Sequence, residues 1–251
     1  MRRVAWLLGI VLAGCAAPPS VFPQLEQPLS DARVLELLAA RTALPGYAGV
    51  VSMDYEDPEV QGSLEAVVNW RPEHLRVTAF KGLVVTDYDV FDLLLVPAGY
   101  ALRYLDDARE DALVRGTLAE FTESRPRQAG FYWVGEALLL PGRTVGEAEV
   151  RRPDDERLEV AGTLSSGARV VFELEPATLE VHRARIEVPG ERRAIELRYA
   201  DYVREGEAFL PRATTLEDPS FQVRVDFALD EGEPTAEFAD YVFDLDDVGR
   251  E

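Results

Sequence analysis

The chain has one cysteine in 251 residues, two histidines and a single lysine, Lys81. One thiol can neither close an intramolecular disulfide nor assemble a thiolate metal site. The histidines, His74 and His182, have no ligand partner at helical or short-loop spacing, which argues against zinc. No G-x-S-x-G elbow is present to place a serine nucleophile, so the expectation is a protein that is not an enzyme and takes no cofactor. Basic residues are scarce as well: 26 Lys and Arg stand against 46 Asp and Glu, for a formal charge of −20. Such a chain is repelled by phosphate backbones and anionic surfaces, which excludes nucleic acid as the expected partner. The acidic groups Asp106-Asp107, Glu110-Asp111 and Asp244-Asp246-Asp247 lack the spaced loop with a central glycine that calcium favours. They read as a solvated face, with no metal. No apolar run reaches the roughly 20 residues that a spanning helix needs.

What is present is a globular composition, 47% hydrophobic with aromatics throughout. Ahead of it, Arg2-Arg3, the apolar run Val4 to Leu12 and the small residues before Cys15 have the order of a secretory signal peptide over residues 1–14. Leu12-Ala13-Gly14-Cys15 resembles the lipobox of bacterial lipoproteins. That resemblance implies a diacylglycerol on the Cys15 sulfur, cleavage between Gly14 and Cys15, and acylation of the new amino terminus. Cleavage there removes two of the 26 basic residues and no acidic one, taking the charge from −20 to about −22. A chain this acidic reaches a membrane through lipid, and two or three acyl chains anchor stably at about 0.8 kcal/mol per buried methylene. Ala16 rather than Asp follows the cysteine, which in the enterobacterial sorting pattern favours the outer membrane, facing the periplasm. Residues 15–29, Pro-rich after the cysteine and without periodicity, read as a lipidated tether.

From Ser30 the pattern is that of one domain, 30–251. Ser30 is a helix cap, and Val34, Leu37 and Leu38 keep helical spacing up to Leu44-Pro45-Gly46, for about 13 residues. The period then changes to two. Tyr47, Gly49, Val51, Met53 and Tyr55 alternate, as do Leu64, Ala66, Val68 and Trp70, then Leu75, Val77 and Ala79. Thr86 to Val96 and Tyr100 to Leu105 continue the series. Between about 107 and 141 the alternation stops, and Asp107 to Phe121 and Gln128 to Leu140 read as one or two inserted helices. Strands resume at 144–152, 157–164, 168–175, 179–188, 193–204, 207–217 and 221–230. So many short strands cannot stay flat, and the expected fold is mainly β with a few helices: a curved antiparallel half-barrel with helices covering its concave face.

The alternation places Trp70, Leu75, Val77, Phe91, Leu93 and Leu95 on that concave face. Two readings are open. If the helices pack tightly, these residues are core; if the helices are lids, they line an apolar pocket for a lipid-like ligand. The turn in Phe80-Lys81-Gly82-Leu83-Val84-Val85 likewise has two readings. Leu83 and Val84 either begin a buried strand or form an exposed apolar tip that meets a bilayer.

Several of these pieces together resemble the LolA/LolB-like superfamily of envelope carriers, in its outer-membrane lipoprotein branches. They are the lipobox at Cys15, the Leu-rich helix from Ser30 to Leu38, Trp70-Arg71-Pro72-Glu73-His74-Leu75-Arg76-Val77, and Phe80-Lys81-Gly82. Late in the chain Leu197-Arg198-Tyr199-Ala200-Asp201-Tyr202 precedes Phe209-Leu210-Pro211-Arg212. The resemblance implies an apolar half-barrel cavity that binds acyl chains of lipids or lipoproteins, and a turn at Leu83 that meets the membrane. The strong acidity and the acid-rich stretch at 106–125 depart from the lipid-anchored branch. The expected function is a lipid-anchored envelope protein that holds an acyl-chain lipid or lipoprotein cargo and delivers it to the membrane. The alternative is a structural or assembly lipoprotein that docks to an envelope protein partner without a ligand.

Overall fold

The structure, a computed structural model, describes residues 20–42, 44–59, 61–82, 87–104, 113–124, 145–154, 156–164, 167–188, 190, 192–235 and 237–248. Cys15, Leu83, Val84 and the stretch 125–144 lie outside the described residues.

Helix α1, Asp31–Arg41, starts where Ser30 accepts a hydrogen bond from the Arg33 amide at 3.3 Å. Asp31 in its first turn and Arg41 in its last complement the helix dipole. Val34, Leu38 and Arg41 form its buried stripe. Five strands then follow as hairpins: β1 Tyr47–Glu56, β2 Gln61–Arg71, β3 His74–Gly82, β4 Asp87–Val96 and β5 Gly99–Tyr104. A short strand β6, Leu113–Gly116, and helix α2, Leu118–Ser124, come next. The second set is β7 Val145–Asp154, β8 Arg157–Thr163, β9 Arg169–Leu174, β10 Val181–Glu187, β11 Ala194–Glu205, β12 Ala208–Asp218 and β13 Val223–Pro234. A 3-10 turn, Asp240–Phe243, lies near the C-terminus.

Part of the stretch expected to be helical is therefore a strand. Leu113–Gly116 pairs with β5, Arg103 opposite Leu113 and Tyr100 opposite Gly116. Four residues are too few to display alternation, and the pairing comes from β5 rather than from local preference. The helix that does form there is announced by a capping box. The Thr117 hydroxyl accepts from the Glu120 amide at 3.2 Å, while Glu120 accepts from the Thr117 amide at 2.7 Å. That reciprocal bond holds the Glu120 carboxyl below its usual range.

The described strands form one antiparallel sheet in the order β6-β5-β4-β3-β2-β1-β13-β12-β11-β10-β9-β8-β7. It consists of two meanders, β1 to β6 and β7 to β13, joined by the single non-sequential pairing of β1 with β13. Strands β6 and β7 are the two opposite edges of the sheet. Register shifts beside Val50 and Ala79 add bends to the ordinary strand twist. The far meander wraps α1, which touches both β7 and β12. At the seam Gly49 faces Gly232, and the Tyr47 ring lies across both; a Cβ on Gly232 would stand 2.1 Å from the Tyr47 hydroxyl.

The outer face is polar. Arg183 bonds Glu196 at 2.6 Å, Arg198 bonds Glu217 at 3.0 Å, and Arg224 bridges Glu217 and Asp226. These exposed pairs keep the outer face wet and contribute little to stability, of order 0–1 kcal/mol each. One apolar patch interrupts it. Leu94, Val96 and Ala101 are covered by the C-terminal segment through Val248, with Phe243 and Leu245 alongside. Arg76 fastens that segment, binding Asp92 at 2.7 Å and donating to the Val242 carbonyl at 3.2 Å.

Candidate functional site

Alternation and register together assemble the inner face. Tyr47, Trp70, Leu75, Leu95 and Tyr100 lie opposite one another across β1 to β5. The next row is Val68, Val77, Leu93 and Leu102, and the next Val51, Ala66, Ala79, Phe91 and Tyr104. The six residues singled out from the sequence are thus neighbours on one surface. Trp70, Leu75, Val77, Leu93 and Leu95 are 1–6% exposed, and Phe91 is half-buried.

Helix α2 packs beside them on β5, and α1 lies against β7 and β12. Val34 and Leu38 of α1 and Phe121 of α2 belong to the same continuous cluster. The Phe121 ring sits 5.0 Å from Tyr100, so the link from β6 sets out across the inner face. Coverage is uneven. Trp70, Leu75, Leu95 and Tyr100 are buried, whereas Tyr55, Leu64, Phe91, Tyr104 and Val114, toward the other end of the same strands, are only partly so. We call the first the closed end, carrying the β2–β3, β9–β10 and β11–β12 turns, and the second the open end, carrying the β1–β2, β3–β4 and β12–β13 turns; its partial cover is confined to β1 to β6, since beside the β12–β13 turn Leu216, Val223 and Asp218 are 0–4% exposed.

The polar groups on this inner side are few and mostly satisfied. The Tyr202 hydroxyl donates to the Val181 carbonyl at 2.8 Å. Burial pushes the Tyr199 and Tyr202 phenols well above their ordinary value. Burial, with Glu205 adding to it and Arg212 opposing it, pushes Tyr47 up to about 12. The Thr214 hydroxyl, opposite Tyr199, is buried with no hydrogen-bond partner among the described residues. Arg193 and Asp218 form a buried ion pair, each side chain 4% exposed, with the guanidinium 4.5 Å from the Phe221 ring.

Alternation could not reveal the residues that close the closed end. Of the segment expected to be a tether, residues 20–29 lie against the domain as a strap. Phe22 stacks on Phe209 with ring centroids 4.2 Å apart and meets Tyr202 edge-on at 4.9 Å. The buried Arg41 guanidinium lies 5.3 Å from both the Phe22 and the Phe209 ring and donates to the Thr178 carbonyl. Burial lowers the Arg41 pKa from its ordinary value. Further along the strap, the Leu25 amide bonds the Ala177 carbonyl at 2.9 Å and Gln27 bonds the Pro176 carbonyl at 2.7 Å. Arg152 at the end of β7 donates to the Leu29 carbonyl at 2.9 Å. The only available sequence signal was a lone aromatic, Phe22, among prolines.

The two histidines are separated by five intervening strands of the sheet. His74 Nδ1 lies 2.9 Å from the Pro72 carbonyl with its ring against Phe243, and His182 is exposed, 3.9 Å from Glu180. Among the described residues no three His, Cys, Asp or Glu side chains gather as a metal site. Among the described residues, too, no helix is long and apolar enough to cross a membrane.

No protein-family model matches the chain, and no curated protein matches it in sequence. Solved structures do match in fold. A LolA-superfamily protein from Nitrosomonas europaea aligns with TM-score 0.57 at 12% identity, covering 86% of this chain and 98% of its own. A protein of the DUF1329 family from Desulfovibrio piger aligns with TM-score 0.55 at 12% identity over 84% and 95% of the two chains. A domain from Vibrio parahaemolyticus, described as an outer-membrane lipoprotein-sorting protein, aligns with TM-score 0.54 at 11% identity over 84% and 96%. The curved open antiparallel sheet, with its inner face covered by helices, is a LolA/LolB-like fold.

Proposed function

We propose that this chain is a lipid-anchored protein of the bacterial envelope that holds an acyl chain, of a lipid or of a lipoprotein, against the inner face of its half-barrel. The observation that carries this reading is the inner face itself. It is an apolar surface spanning β1 to β5, bearing Trp70, Leu75, Val77, Phe91, Leu93 and Leu95, with Phe121 of α2 packed beside it and α1 lying against β7 and β12 in the same apolar cluster. No covalent chemistry is required. An acyl chain gains about 0.8 kcal/mol for each methylene it buries, roughly 10 kcal/mol for a dozen. The relatives in fold include a protein described as lipoprotein-sorting, which agrees with cargo of this kind. The anchor is the lipid on Cys15, the membrane the outer one with the domain in the periplasm, and delivery to that membrane the task.

The tight burial of five lining residues, 1–6% exposed, favours a second reading. In it the interior is a filled core, and the protein serves as an assembly lipoprotein docked to an envelope partner without a ligand. One experiment separates the two. Native mass spectrometry and lipid extraction of the purified chain should recover bound acyl lipid, and a fluorescent fatty-acid probe should bind and be displaced by unlabelled fatty acid. A chain that carries no lipid and does not bind the probe is the assembly protein instead.

A further inference from the structure

The strap fixes more than the closed end of the half-barrel; it fixes where an anchor on Cys15 must emerge. Ser20 donates a hydrogen bond to Glu180 at 2.7 Å, in the turn between β9 and β10. Phe22 is seated on Phe209 and Tyr202, beside the turn between β11 and β12. Both turns are at the closed end. Four residues lie between Cys15 and Ser20, and the five Cα-to-Cα steps reach roughly 17 Å when fully extended. The turn between β3 and β4 is at the open end, because Gly82 pairs with Asp87 there. Six- to twelve-residue strands at about 3.3 Å per residue separate the two ends by roughly 20–40 Å along the chain.

We infer that the anchored domain stands with its closed end toward the membrane that holds it, and its partly covered open end directed away from that membrane. The inference rests on the Cys15 anchor of the proposed function. Charge does not choose between the faces, because Glu173, Glu196, Glu217 and Asp226 of the outer face are paired with Arg183, Arg198 and Arg224 while the closed-end turns carry exposed Glu73, Glu175 and Glu207, so the orientation rests on where the strap docks. The closed end thus serves as the bilayer-facing surface. In this orientation cargo enters by the open end on the side away from the anchoring bilayer, and handing it to that bilayer requires the domain to tilt or the strap to undock.

The test uses the full chain, lipidated in a bacterial host and reconstituted in vesicles of phosphatidylethanolamine and phosphatidylglycerol. Flotation with the vesicles is expected and should be lost in Cys15→Ser. Fluorophores are placed singly at the exposed positions Glu207→Cys, in the closed-end turn, and Ser220→Cys, in the open-end turn. Energy transfer to headgroup-labelled lipid should be about twofold or more stronger from position 207, given the separation of the two ends. Phe22→Ala, which releases the strap, should abolish that difference while flotation persists. A chain that fails to float overturns the anchor and the orientation together. A chain that floats with equal transfer from both labels, or stronger transfer from position 220, overturns the orientation alone. Acyl-probe binding is read separately and does not depend on either label.

Discussion

Replacing Phe22 by alanine removes the one large contact that seats the strap. The ring is 7% exposed and touches three partners: Phe209 at 4.2 Å, Tyr202 at 4.9 Å and the Arg41 guanidinium at 5.3 Å. Truncating a phenylalanine in such surroundings costs about 3–5 kcal/mol, the stacked pair contributing roughly 0.5–1.5 of it. What remains is a set of hydrogen bonds, Ser20 to Glu180, Leu25 to Ala177, Gln27 to Pro176 and Arg152 to Leu29, each contributing about 1 kcal/mol, and the partial burial of Leu25 and Leu29. The expected result is a loss of about 3 kcal/mol in denaturant unfolding. With it the Leu25 amide, now released from Ala177, should exchange about a hundredfold faster. Unfolding within about 0.5 kcal/mol of the parent, with Leu25 still protected, would refute the claim that Phe22 holds the strap.

Other positions carry sharp expectations. Arg193→Met alone leaves Asp218 buried without its partner and should cost about 3–5 kcal/mol, whereas the double change with Asp218→Leu should recover most of that in a double-mutant cycle. Gly232→Ala puts a methyl 2.1 Å from the Tyr47 hydroxyl and 2.7 Å from the Ala48 carbonyl. It should cost about 1–3 kcal/mol by chemical denaturation, and less where Tyr47 is already alanine. In an alkaline titration followed at the phenolate absorbance, Tyr47 should ionise near pH 12 rather than near 10, with Tyr199 and Tyr202 later still. Since a raised folded pKa means that the unfolded chain loses its proton first, the stability tied to Tyr47 is whole below pH 10. It is lost as pH rises through about 12; coincident ionisation of all tyrosines near pH 10 in the folded chain contradicts this.

Much of the sheet was legible because its inner face is continuous. Tyr47 to Tyr55, Leu64 to Trp70 and Leu75 to Ala79 alternate cleanly, since each strand has one wet and one dry side, and the shared face of Trp70, Leu75, Val77, Phe91, Leu93 and Leu95 followed from that period. The expected strand bounds in the second half agree with β7 to β13 within a few residues. Local pattern failed where a partner outside the segment decides the outcome. Leu113–Gly116 is a strand only because β5 offers it an edge. Phe22 is ordered by Phe209 and Tyr202, and nothing in the Pro-rich stretch around it has a period to read. The C-terminal Asp244-Asp246-Asp247 group does face solvent in part, Asp246 meeting Arg115 at 3.1 Å, but the interleaved Phe243, Leu245 and Val248 cover apolar residues of the outer face. One-sided composition there concealed a packing segment.

The central claim, that the inner face holds an acyl chain, is tested most directly by a fatty acid bearing a photoactivatable diazirine at its tail. It is bound to the intact chain, irradiated, and its adducts are mapped by peptide mass spectrometry. The expected adducts fall on β2 to β5, at side chains such as Val77, Leu93 and Leu95, and on α1, and they vanish with excess unlabelled fatty acid. Adducts confined to the outer face, or none above the competed control, would contradict the claim.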